Sequence, residues 1–334
     1  MTCKLYRPVL AVVAALLLAS CSSNEPLPLY KSSRFLMGTL VQVTIPGAEA
    51  TAKAVAEDIF SELKRVEELT SFHKPSGLTK INDQSGNGPI NADPELLSLI
   101  GESLRFATET QGAFDPTVGP LTRLWNFSAG DPRLPSGSEI SAALAKIGWR
   151  RVTVDSTAGS IMLPDPGMAL DLGGIAKGYA LQRAAAVIRK RGISAALVNA
   201  GGDVLVVGER EPGKPWRVGV QDPRTERSMV AVANLKDCVV QTSGDYERCF
   251  ITDGKRYHHI LNPATGYPAD GLQSVTVVAP TGMSTVTAGI FVLGVEEGLK
   301  YIESMLNVHG FLIDFEGRIH KSAGAESIFD FKQK

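Results

Sequence analysis

The chain has 334 residues, 44% of them hydrophobic, and a formal net charge of -1. That length and apolar content support one large domain or two intimate ones. A near-neutral balance without a long basic run argues against nucleic acid as a partner.

Residues 1–20 read as a signal peptide, with Lys4 and Arg7 at its start and an apolar stretch, 9–18, too short to span a bilayer. Leu18-Ala19-Ser20-Cys21 places small residues before a cysteine, as in a bacterial lipobox. Cys21 is then the lipidated N-terminus of a periplasmic, membrane-anchored protein; the alternative is ordinary cleavage beside an incidental cysteine. Acyl chains anchor through roughly 0.8 kcal/mol per buried methylene. Residues 21–30 read as a tether and 31–334 as the folded domain.

Within that domain, 40–45 alternates as a strand. Ala52, Val55, Ile59, Leu63 and Val66 recur at helical spacing and predict a long amphipathic helix over 48–69. Asp93-Pro94 opens a helix carrying Leu97, Ile100, Leu104 and Ala107. Ser138 caps a short helix ending at Gly148, and 152–154 and 161–163 read as strands. A helix from Gly174 buries Ala176, Tyr179, Ala180, Ala184, Val187 and Ile188, and stops at Gly192. Strands follow at 195–199, 204–208, 216–221, 229–235, 239–242, 256–260, 274–279 and 311–314, with helices at 285–293 and 295–306. Short strands joined by turns, mixed with helices, predict an α+β fold of mainly antiparallel sheets packed with helices.

The densest motif is Asp171-Leu172-Gly173-Gly174-Ile175-Ala176-Lys177-Gly178-Tyr179-Ala180. It joins an acid, two glycines and a lysine at a helix start. Glycines let backbone approach a ligand, and a helix start offers unpaired N–H groups to a phosphate. The plain alternative is a strand-to-helix turn in which glycine relieves crowding. In 112–120, Pro116 biases Asp115 toward extended geometry, so its carboxylate is placed to accept from a ring amide or amine; a bare turn is the alternative. Asn199-Ala200-Gly201-Gly202-Asp203-Val204 is either a ligand-approach loop or a hairpin turn. His258 and His259 point to opposite faces if their strand continues, so they do not share a metal, but one is a candidate acid, base or phosphate donor. Met37, in Met37-Gly38-Thr39, packs against a planar ring or belongs to the core. Cys238 and Cys249 are either a disulfide pair or two small buried side chains.

Taken together, Met37-Gly38-Thr39, 112–120, 171–180, 199–204, Thr242-Ser243-Gly244-Asp245-Tyr246 and 259–266 resemble the FAD:protein FMN transferase family, also called the ApbE or thiamine-biosynthesis lipoprotein family. The resemblance covers about 34–314. It implies an ApbE-like fold and an enzyme that uses Mg2+ to move the FMN half of FAD to a threonine of a target flavoprotein, releasing AMP. It places Met37, His73, Ala113, Phe114, Asp115, Asp171, Lys177 and Ile260 at FAD. It makes His259 the catalytic or phosphate-binding histidine and Gly174 a metal ligand through its carbonyl. The family's Ala-Asp-Ala-Leu-x-Thr-Ala segment corresponds to a slightly shortened 282–289. Its metal-binding aspartate falls at Ser284 and its threonine at Ala288, with Thr287 a further neutral oxygen. No acidic residue lies between Asp270 and Glu296, so the expected Mg2+ site is altered. His73 likewise stands where the family pattern has a tyrosine. The alternative function is a non-catalytic FAD-binding lipoprotein.

Overall fold

The structure, a computed structural model, describes residues 28–127 and 133–332. The expected signal peptide, the lipid cysteine Cys21 and most of the tether lie outside the described residues. Leu29 and Tyr30, at the tether's expected end, already belong to the first strand.

Eight strands form one sheet in which each is antiparallel to the next in sequence. They are Leu29–Leu36, Thr39–Pro46, Ala196–Ala200, Asp203–Val207, Cys238–Gly244, Leu272–Pro280, His309–Asp314 and Ile319–Lys321. Alternation along the strands separates two cores. Val41, Val43, Val198, Leu205 and Val239 face the helices Glu49–Thr70 and Gly173–Lys190. Farther along the same face, Val275, Val277 and Leu312 receive Ile290, Phe291 and Ile302 of the helix Thr287–Ser304. On the opposite face, Val206, Val240, Val278 and Phe311 pack against a smaller sheet made of Trp216–Gln221, Met229–Leu235 and Phe329–Phe331. The helices Gly77–Asp83 and Pro94–Glu109, with the short strands Thr153–Asp155 and Ser160–Met162, build a third core around Leu96, Phe106 and Leu170. The α+β expectation therefore holds. No helix among the described residues is long and apolar enough to cross a membrane.

Several local expectations change. Ser136, not Ser138, caps the short helix, which runs Gly137–Leu144. Ser136 and Glu139 form a reciprocal capping box that satisfies two otherwise orphan N–H groups, and Ser138 falls inside the first turn. The strand read at 239–242 extends to Cys238–Gly244, and the one read at 256–260 is Lys255–His258. The two helices expected at 285–293 and 295–306 are present within Thr287–Ser304 and meet at a break, Gly294, with φ 77° and ψ -167°. Cys238 and Cys249 are both free thiols. Burial pushes the Cys238 thiol up to about 12.

An ion network braces the helix Gly173–Lys190. Arg65 donates to Glu62 at 2.9 Å and to both Glu95 oxygens at 2.7 Å; Arg183 donates to Glu62 at 2.8 Å, and the Tyr179 hydroxyl donates to Glu95. The Arg65 hydrogen bond is the main cause holding the Glu62 carboxyl down to about 2.

Candidate functional site

The helix Gly173–Lys190 begins at Leu172 with no cap from that residue. Asp171 substitutes: its Oδ1 accepts from Gly173 N at 2.8 Å and its Oδ2 from Thr122 Oγ1 at 2.7 Å. Gly174 has no room for a side chain. A Cβ there would lie 2.9 Å from Phe114 Cε2 and 3.8 Å from Ala288 Cβ. At Gly289, in the first turn of the helix Thr287–Ser304, a Cβ would come within 2.7 Å of Phe114 Cβ. Phe114 therefore wedges between two glycines and brings two helix starts together. It is a buried packing group on its ring side.

Lys177, one turn into its helix, lies 2.9 Å from Asp203 Oδ2. The other Asp203 oxygen accepts Thr242 N at 3.1 Å. One buried carboxylate thus ties the Asn199–Asp203 turn, the Thr242-Ser243-Gly244 strand and the lysine into a single unit. The Met37-Gly38 turn completes it. Leu36 pairs with Thr39, so the loop has two residues, and both have positive φ, 53° at Met37 and 70° at Gly38. That is the type I′ pattern, in which a methionine is strained, and such strain concentrates at functional positions. Gly201, opposite, would drive a Cβ into Thr39 Oγ1 at 2.2 Å. A Cβ on Gly38 would lie 3.9 Å from Arg248 Nη2.

The strand ends at His258, so the opposite-face expectation does not carry to His259, and the two histidines differ in their surroundings. His258 is buried, with Nε2 2.9 Å from Ala269 O and its ring edge-on to Phe291; it is a structural group. His259 has its N–H on Arg248 O at 3.0 Å. The residue keeps some accessible surface, yet its Nδ1 is sealed from solvent and has no hydrogen-bond partner. Burial first, then the charges of Arg248, His258 and Lys177, bring its pKa down to about 3. Lys177, Arg248 and His259 are therefore electrostatic neighbours.

The remaining candidates differ in burial and in what their side chains hold. Asp115 turns inward: Oδ1 accepts from Thr117 N at 2.8 Å and Thr117 Oγ1 at 2.6 Å, and Oδ2 from Trp149 N at 3.3 Å. The carboxylate expected to face a ring amide is thus used within its own turn, and burial raises its pKa. Ala113 precedes Phe114 and keeps partial exposure. Ile260 is 3% exposed and sits in the core with Ala269 and Leu272. His73 is exposed, edge-on to Phe72, which stacks under Arg123 beside Thr122.

The four metal candidates do not form one site. Ser284 Oγ accepts from Gln182 Nε2 at 2.7 Å. Gln182 is eight residues beyond Gly174, about 12 Å along the helix axis, and Ser284 lines a cleft of about 690 Å³ with Glu102, Arg105, Glu109 and Tyr301 that holds no other candidate residue. Ala288 offers a methyl group beside Gly174. Thr287, rather than Ala288, carries an oxygen there, 2.8 Å from Ser243 Oγ. Among the described residues no group of three or more His, Cys, Asp and Glu side chains is placed to hold a metal. The nearby carboxylates of Asp115, Asp171 and Asp203 are already engaged, and Asp245 is held by both Nη atoms of Arg224 at 2.7 and 2.6 Å. This donor set does not fit a Mg2+ ion held through protein carboxylates.

The model of the ApbE family matches residues 37–312. The chain belongs to the ApbE family. An FAD:protein FMN transferase of Treponema pallidum (strain Nichols) is 31% identical over 325 residues, 91% of this chain and 90% of that one. One from Klebsiella pneumoniae (strain 342) is 34% identical over 289 residues, 85% of this chain and 89% of its own length. Among solved structures, an ApbE protein of Thermotoga maritima superposes with a TM-score of 0.82 at 37% identity, covering 92% of this chain and all of that one. The flavin transferase ApbE of Vibrio cholerae gives 0.78 at 28% identity, covering 90% and 100%. The ApbE motifs thus sit on an ApbE fold.

Arg248, Ser243 and Gly289 join the site without having been legible as members. Ser243 and Gly289 lie in segments whose motifs are visible and Arg248 falls between two of them, but only the folded contacts group them with the site. Asp203 was visible as a motif residue; its role as the clamp on Lys177 depends on three-dimensional contact.

Proposed function

We propose that this ApbE-family chain is an exported, lipid-anchored transferase that moves the FMN half of FAD onto a threonine of a target flavoprotein. The threonine oxygen bonds to the FMN phosphorus, the diphosphate P–O bond to AMP breaks, and AMP leaves. Displacement at phosphorus needs alignment and charge neutralisation more than covalent catalysis. The observation that carries this reading is the grouping of Lys177, Arg248 and the unpartnered His259 Nδ1 beside glycine-lined backbone. Burial and the neighbouring cations keep His259 neutral. A bound diphosphate offsets the two cations and raises its basicity, so the imidazole is positioned to take the threonine proton. Met37, Ala113 and Asp171 belong to the FAD-binding surface in this reading and His73 to its rim, while Ile260 supports it from the core.

The deciding experiment incubates the processed chain in detergent with FAD and a threonine-bearing flavoprotein, with and without Mg2+, and reads covalent flavin fluorescence on a denaturing gel. A fluorescent target band with stoichiometric AMP supports transfer. The carboxylate-free segment 282–289 favours a second reading, a flavin-holding lipoprotein; bound FAD without a band, beside an active control transferase, selects it. Radiolabelled palmitate on the wild type but not on Cys21→Ala tests the anchor.

A further inference from the structure

We infer that the site binds the FAD diphosphate without a protein-held divalent cation, the phosphate charge being met by Lys177 and Arg248, with the Gly174 N–H at the helix start beside them. This rests on the reading of the site as an FAD site. Asp171 orients a helix start and Thr122, Asp203 clamps Lys177, Asp245 pairs with Arg224, and Asp115 closes its own turn. Residues 271–295 contribute no acid. What faces Gly174 is the Ala288 methyl and, one residue earlier, a hydroxyl pair, Ser243 and Thr287, satisfied by each other at 2.8 Å. Mg2+ sheds water reluctantly and is usually fixed by one or two carboxylates, and neutral hydroxyls do not replace that charge.

The cationic side of the same site is well built. Asp203 holds Lys177 Nζ with one oxygen, and an ammonium has three donors. Arg248 is positioned against the strained Met37-Gly38 turn, with its carbonyl on His259. Gly174 and Gly289 make room for Phe114 where two helix starts converge, and the Gly174 start adds the positive end of its helix to the two cations. The dinucleotide therefore meets fixed protein cations where a metal would otherwise bridge.

The test is an FAD titration of the full processed chain in detergent, followed by flavin fluorescence, once in EDTA and once in saturating Mg2+. The expected dissociation constants agree within about threefold, and Lys177→Ala and Arg248→Ala each weaken binding in EDTA by about tenfold or more. Binding that vanishes in EDTA and returns with Mg2+ overturns the inference while leaving the FAD site standing. Binding in neither condition overturns the FAD reading and this inference together. Because Arg248→Ala is able to perturb folding, Arg248→Lys serves beside it, and recovery of most of the affinity there supports a charge role.

Discussion

Two helices start side by side, both against Phe114, and are built in opposite ways. The Gly173–Lys190 start carries an acid, a lysine and two glycines, and its polar groups are tied to three other segments. At the Thr287–Ser304 start there is no charge, only Thr287, Ala288 and Gly289, with one hydroxyl pair and the Phe114 wedge. The first is an electrostatic device and the second a packing surface. In a fold whose relatives include named flavin transferases, charge has been concentrated on one side of the site. Chemistry should accordingly depend steeply on residues around the first start, and stability on those around the second.

The largest expected effect is at the histidine beside the charged start. His259→Gln should lower FMN transfer by about 10²- to 10⁴-fold while FAD binding by fluorescence stays near the wild-type value; an equal loss of binding would make the residue an anchor instead. The same variant has a pH signature. A histidine whose folded pKa is below its unfolded value binds its proton more weakly in the native state, so stability falls as pH drops between 6.5 and about 3. His258 contributes with the same sign. Replacing His259 should therefore flatten, without abolishing, the fall of the thermal midpoint on acidification of the FAD-free protein. Next in size, Lys177→Ala should cost about 1–3 kcal/mol of FAD binding by calorimetry; an unchanged affinity would place the lysine in a structural clamp with Asp203.

Much of this asymmetry was legible in the sequence, and for identifiable reasons. Asp171, Gly174 and Lys177 lie within seven consecutive residues, so local geometry alone places them on one helix start. Alternation and helical spacing gave the elements that pack the eight-stranded sheet. Signals spread over long separations were not legible: Lys177 with Asp203, Ser243 with Thr287, Arg224 with Asp245, and Tyr179 with Glu95 meet only after the sheet is assembled. Aligning 282–289 by residue type put the lost acid at Ser284, whose side chain is anchored at Gln182 about two helical turns from Gly174. An acid introduced at Ser284 would thus stand beside Gln182, while Ala288 is the position that borders Gly174, with Thr287 next to it in sequence.

The glycines of the two starts sharpen the comparison further. Gly289→Ala forces a Cβ against Phe114 Cβ, an atom fixed to the backbone, whereas Gly174→Ala meets the far edge of the same ring. The first should lower unfolding free energy by about 1–3 kcal/mol in a denaturant titration and the second by less, since a ring edge swings more easily than its base. Equal losses would mean that Phe114 is locked at both ends.

The smallest effect belongs to the hydroxyl pair. Thr287→Val keeps the β-branched shape at the helix start and removes one partner of a 2.8 Å hydrogen bond. Ser243 Oγ then loses that partner in a part-buried setting, a change of about 1 kcal/mol in stability. If the pair is only packing, FAD affinity should be the same for Thr287→Val and wild type in EDTA and in Mg2+. A Mg2+-dependent gap between the two proteins would show that the second start is a working part of the site and that the division into a charged side and a packing side is wrong.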